Sequence, residues 1–197
     1  CAAGDLLCRR HGNRHVDLAP LAVARLPLVP LSELPVPLGM AVRRGVDSRM
    51  LSSTVPVQVW AHRPQVALIW LALLDQFHNH GVLDARLREL VSLRIASITQ
   101  CKACQVARKS DRVDAKDLEA LSCLQPDSEH FTPAERAALI YAQLFAADAH
   151  AVDEHHFASL AEHFSTAEIV ELQMFCALML AGGRMTLVQQ AYEDTPP

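Results

Sequence analysis

Ile98-Thr99-Gln100-Cys101-Lys102-Ala103-Cys104-Gln105-Val106-Ala107-Arg108 is the stretch on which the reading of this chain turns. It follows a strongly apolar helical segment and opens a second one, with Glu89 twelve residues ahead of Cys101. A cysteine pair spaced by two residues at a helix start favours thiol chemistry. The N-terminal amides of a helix stabilise a thiolate, and the three-residue step lets two sulfurs close a disulfide. The pattern points to a thiol redox protein.

The helices around this stretch follow from periodicity and caps. A first long element is expected over about Val57 to Asn79, broken at Pro64, with Gly81 as a left-handed stop after His80. The next, Asp84 to about Thr99, is apolar on most faces and is therefore central. A third is expected from the cysteine pair to about Asp111, and Asp114 caps a short helix through Leu121. Thr132-Pro133-Ala134-Glu135 and Ser165-Thr166-Ala167-Glu168 each read as a capping box. The helices they open are expected to reach Ala147 and Ala181, with a short helix over Asp153 to His163 between them and another after Gly182-Gly183. No segment alternates as a strand would, so the fold class is all-α.

Were Asp84 to Cys104 one straight helix, Glu89 would lie about 18 Å from Cys101 at 1.5 Å per residue. The β-branched Ile98-Thr99 points instead to a turn and an antiparallel helical hairpin. In that geometry Glu89 faces Arg108, and Cys101, Cys104 and Arg108 share one helix face. The expected site is a line: Glu89, Arg108, Cys104, Cys101.

Composition limits the alternatives. The chain has 197 residues, 51% hydrophobic and 5% aromatic, with a net charge of -4. That is ample for one core, and the scarcity of aromatics beside abundant Ala and Leu favours packed helices. No run of Lys and Arg exceeds two residues, which argues against nucleic-acid or anionic-membrane partners. The longest apolar run, Val66 to Leu74, is too short to span a bilayer. Five prolines between residues 18 and 38 (Pro20, Pro27, Pro30, Pro35, Pro37) predict an extended arm. Residues 1–25 are expected to form an extension to a domain over 26–194. The opening Cys1-Ala2-Ala3-Gly4 fits a processed lipoprotein, but a trimmed chain is the favoured reading because no upstream signal is visible. Cys123 and Cys176 sit singly in apolar patterns and read as buried free thiols, so one working pair in a cytoplasmic setting fits best. Zinc would need two further ligands that the spacing does not offer, so no metal or cofactor is expected.

Glu89, eleven intervening residues, then Cys101-x-x-Cys104 in an all-helical chain resembles the alkyl hydroperoxidase D and carboxymuconolactone decarboxylase-like family. Leu83-Asp84-Ala85-Arg86-Leu87-Arg88-Glu89-Leu90-Val91 is similar to that family's lead helix, and the stretch from Thr132 to Leu172 looks like its second half. The resemblance implies an AhpD-like helical domain whose central hairpin carries the cysteines, assembled into trimers or hexamers. It implies a thiol-dependent peroxidase or disulfide reductase in which Cys104 attacks a hydroperoxide, Cys101 closes the disulfide, and a dithiol partner, protein or small molecule, reduces it. Helix-dipole reasoning alone would make Cys101 the more acidic thiol. The family pattern places a histidine four residues after the second cysteine, where this chain has Arg108. Some members carry another between the cysteines, where it has Ala103. Arginine cannot pass a proton on at neutral pH, so acid–base assistance worth about 10²–10⁴-fold is expected to weaken. His78, His80, His150, His155 and His156 are the substitute bases to consider. The rival readings are a redox-silent helical assembly protein of the same fold and a lyase of the decarboxylase branch; that branch needs no cysteine pair, which counts against it here.

Overall fold

The computed structural model describes residues 24–101, 104–105, 107–122 and 130–192. Cys123 and the expectations for residues 1–23 lie outside them. Among the described residues eight α-helices follow one another: α1 (Val36–Asp47), α2 (Val55–Trp60), α3 (Pro64–Asn79), α4 (Ala85–Thr99), α5 (Ala115–Ser122), α6 (Pro133–Ala147), α7 (Glu154–Ala161) and α8 (Thr166–Gln189). Among the described residues there is no strand.

Helix α4 is the hub, packing most extensively on α6 and α8. Its buried residues, among them Leu87, Leu90, Val91, Leu93 and Ile95, face several directions at once, as an apolar helix without a polar stripe must. Asp84 caps it through the Arg86 amide. Both expected capping boxes close, Thr132 with Glu135 and Ser165 with Glu168. Asp153 with His156 forms a third at α7.

Three expectations are corrected, and the break at Pro64 is met. The proline-rich segment is not extended throughout, because α1 begins at Val36. Pro37 is tolerated in its first turn, where amides lack helical partners anyway, and Leu38, Ala41, Val42 and Gly45 form its buried face. The long element divides at Pro64 into α2 and α3. Gly81 has no positive φ. Its need is for space, since a Cβ there would meet Glu171 Oε1 at 2.5 Å and the Phe77 carbonyl at 2.6 Å. Finally, α8 runs unbroken through Gly182-Gly183 to Gln189. Gly183 lets α4 come close, as its Cβ would lie 2.9 Å from Thr99 Oγ1. By length and composition α8 could cross a membrane; here it packs on α3, α4, α6 and α7.

Three elements are locked by ions. Arg86 of α4 donates Nη1 and Nη2 to Asp117 of α5 (2.7 and 2.8 Å) and Nε to Glu135 of α6 (2.7 Å). Asp117 also meets His130 Nε2 at 2.8 Å and accepts the Asp114 amide at 2.8 Å. The Arg86 guanidinium holds the Asp117 carboxyl well below the usual carboxylate range.

Candidate functional site

Helix α4 ends because Gln100 takes a left-handed conformation (φ 56°), and the Cys101 amide bonds back to the Ala96 carbonyl at 3.2 Å. The hairpin therefore turns one residue later than the β-branched pair implied. Cys101 then starts a new helical turn, its carbonyl accepting the Gln105 amide at 3.0 Å. The Cys104 amide points at Cys101 Sγ at 3.3 Å. Cys101 and Cys104 are joined in a disulfide, their Cα atoms 5.2 Å apart.

The two sulfurs differ in access. Cys101 is wholly buried, whereas Cys104 is half-buried and opens onto a cavity of about 260 Å³ between α3, α4, α8 and the segment before α2. Trp60, Trp70, Leu74, Leu93 and Met179 make its apolar wall. Trp60 and Trp70 meet edge to face, ring centres 5.8 Å apart. Glu89, His78 and Lys109 line the same space as Cys104.

The third helix does not reach Asp111. Residues 107–110 are non-helical, so Arg108 leaves the face on which a continuous helix would put it. Its exposed guanidinium caps nearby carbonyls, Nη1 donating to Gln105 at 2.8 Å and to Ala107 at 2.7 Å. The expected contact between Arg108 and Glu89 is not formed. The carboxylate is instead held by the main chain of the next residue, the Lys109 amide donating to Oε1 at 3.1 Å and Oε2 at 3.0 Å. Burial raises the Glu89 pKa, opposed by the amides of Lys109 and Ser110 and then by the charges of Arg108 and Lys109. Arg108 thus acts on Glu89 through its field alone.

His78 and Lys109 fill the place expected for Arg108. Lys109 Nζ lies 3.3 Å from His78 Nε2. Burial, Lys109 and Arg88 hold His78 down to about 3, so its ring is neutral and accepts the ammonium hydrogen. Burial lowers Lys109 to about 8, against the pull of Glu89. Arg88 fixes the backbone beneath, donating Nη2 to the His78 carbonyl at 3.0 Å and Nη1 to the Leu83 carbonyl. The other histidines lie elsewhere. His80 is exposed beside Asp75 at 3.6 Å, His150 and His155 are exposed, and His156 caps α7. Lys109 carried no signal in the sequence, because a lysine between Arg108 and Ser110 reads as solvated.

The fold and the site define a helical cysteine-pair protein with a buried glutamate behind the accessible thiol. The sequence profile of the carboxymuconolactone decarboxylase family matches residues 64–144, the span that carries the glutamate, the hairpin and the helices on either side. Over that span the chain is similar to the carboxymuconolactone decarboxylase family. No curated protein matches it. Among solved structures it is similar to an alkylhydroperoxidase AhpD core, an uncharacterized peroxidase-related protein from Ralstonia eutropha JMP134 (TM-score 0.70, 20% identity, 87% of this chain and 93% of that one). It is also similar to the debrominase Bmp8 (TM-score 0.72, 19% identity, 88% and 92%). A cysteine-to-alanine variant of that debrominase in complex with 2,3,4-tribromopyrrole matches as well (TM-score 0.72, 18% identity, 89% and 92%). At these identities the likeness is one of fold.

Proposed function

We propose that this chain is a thiol-dependent peroxidase in which Cys104 attacks a hydroperoxide and Cys101 resolves the product as a disulfide. One observation carries the reading. Cys104 opens onto an apolar cavity, while its bonded partner Cys101 is wholly buried directly behind it. Such an arrangement exposes one sulfur to substrate and keeps the other for intramolecular closure. A dithiol, protein or small molecule, returns the pair to the reduced state, which goes with a reducing cytoplasmic setting. The chain acts as a homo-oligomer, its unpartnered apolar residues on α3 and α8 covered by copies of itself.

The paired indoles of Trp60 and Trp70, together with the likeness to a debrominase, favour a second substrate class for the same thiols, a halogenated aromatic ring. Titration of free thiols in the reduced protein separates the possibilities. One equivalent of tert-butyl hydroperoxide should remove two thiols per chain, and dithiothreitol should restore them. Loss of two thiols and release of halide with a bromopyrrole, but not with peroxide, would shift the substrate to the halogenated ring. No loss with either would leave the redox-silent assembly protein.

A further inference from the structure

Arg108 faces solvent and cannot lose its proton, so the site lacks a carrier where the family pattern expects one. Resting on the thiol reading above, we propose that Lys109 is the proton carrier of the Cys104 site, with neutral His78 accepting its hydrogen bond and Glu89 fixing its backbone. Three contacts converge on this one residue. Its amide is gripped by both oxygens of the buried Glu89, its Nζ lies 3.3 Å from His78 Nε2, and its side chain lines the cavity onto which Cys104 opens.

The groups facing Lys109 divide the work. Glu89 and Arg88 come from α4, His78 from α3, Arg108 from its own segment, and Arg49, paired with Asp111 at 2.8 Å, from the segment before α2, while α8 brings only uncharged side chains to the cavity. His78 is held down to about 3 and carries no proton near neutrality. Glu89 is committed to an amide. Lys109, lowered to about 8, is still protonated at pH 7 yet can release its proton.

The cycle balances. The Cys104 thiolate attacks the terminal oxygen of ROOH, the O–O bond breaks, and the leaving alkoxide takes a proton from the Lys109 ammonium. Cys104 is then a sulfenic acid and Lys109 a neutral amine. The Cys101 thiol condenses with the sulfenic acid, forming the disulfide and releasing water. An external dithiol reduces the disulfide to two thiols and is itself oxidised. The Cys104 thiol then passes its proton to the Lys109 amine, restoring the thiolate–ammonium pair.

The test needs no turnover for its main readout. Alkylation of Cys104 by iodoacetamide in the reduced protein is followed against pH by mass spectrometry. The midpoint should lie below the ordinary thiol value of about 8.5 in the wild type and rise by about one unit in Lys109→Met. Lys109→Arg keeps the charge, so its midpoint should stay low, while tert-butyl hydroperoxide turnover at pH 7 falls by about 10²-fold for want of a removable proton. Equal midpoints in the wild type and Lys109→Met, with both folded by circular dichroism, would overturn the assignment. So would full turnover in Lys109→Arg. If the wild type consumes no peroxide but the midpoints still differ, the peroxidase reading and the proton-carrier role both fall, and only the thiolate–ammonium pairing of Cys104 with Lys109 stands.

Discussion

Replacing Arg86 by leucine tests how the hub helix is anchored. The substitution removes one guanidinium from two carboxylates that are nearly out of solvent, the Asp117 side chain 5% and that of Glu135 13% exposed. Breaking a buried pair by removing one partner costs about 3–5 kcal/mol, since the remaining charge is left uncompensated. Here the loss should fall toward the lower end of that range. Asp117 keeps His130 at 2.8 Å and the Asp114 amide at 2.8 Å, and Glu135 keeps the Thr132 amide at 2.9 Å. At about 2–4 °C per kcal/mol for a chain of this size, the melting temperature should drop by about 6–12 °C. Arg112→Met is the control. It removes an equally short pair with Asp84 at 2.7 Å, but those side chains are 65% and 55% exposed, so the expected loss is below about 1 kcal/mol. Thermal and urea unfolding at pH 7 measure both. The deficit of the Arg86 variant relative to the wild type should shrink as the pH falls below 3.8, because the wild type then loses the stability that its lowered Asp117 pKa supplied. Equal losses in the two variants would refute the argument, because burial would then have made no difference to the pair.

Gly81→Ala should destabilise by about 1–3 kcal/mol in urea unfolding, because the new Cβ meets the Phe77 carbonyl and pushes Glu171 off the Val82 and Leu83 amides that it holds. Stability should fall as the pH drops from 6.5 toward 3, since unfolded His78 takes up a proton that the folded ring refuses until about 3; Asp117 adds to the loss below 3.8, where the unfolded carboxyl protonates before the folded one. His78→Phe should flatten the first of these slopes in urea midpoints measured across that range. Cys176, wholly buried with its thiol pushed up to about 12, should resist a thiol reagent in the folded protein, while reduced Cys104 reacts readily; equal rates would contradict the burial. Light scattering should give a mass above the 21.7 kDa of one chain, because Val66 and Ile69 on α3 and Val170, Met174 and Val188 on α8 stand exposed.

Much of this protein follows from local rules that the sequence states directly. Thr132 with Glu135, Ser165 with Glu168 and Asp84 mark where helices begin, because a cap needs only residues within one turn. The apolar faces of Leu87 to Ile98 made α4 central before any partner for it was known. The spacing of the cysteine pair from Glu89, one hairpin arm away, placed Cys104 and Glu89 on one cavity. Other features depended on residues far apart in the chain. Gly182-Gly183 reads locally as a break, yet the helix continues because Thr99 of α4 packs where a side chain would be. Pro37 reads as part of an extended arm, yet it opens α1 because Leu38 and Val42 find a core. Arg108 was assigned to Glu89 by assuming that helical register persists after Cys104. The backbone leaves that register by residue 107, turning the arginine to solvent and bringing the amide and ammonium of Lys109 to Glu89 and His78. Spacing along the chain specifies neighbours only while the backbone is regular; beyond Gln105 the non-helical backbone of residues 107–110 decided that a main-chain amide, that of Lys109, meets the buried carboxylate.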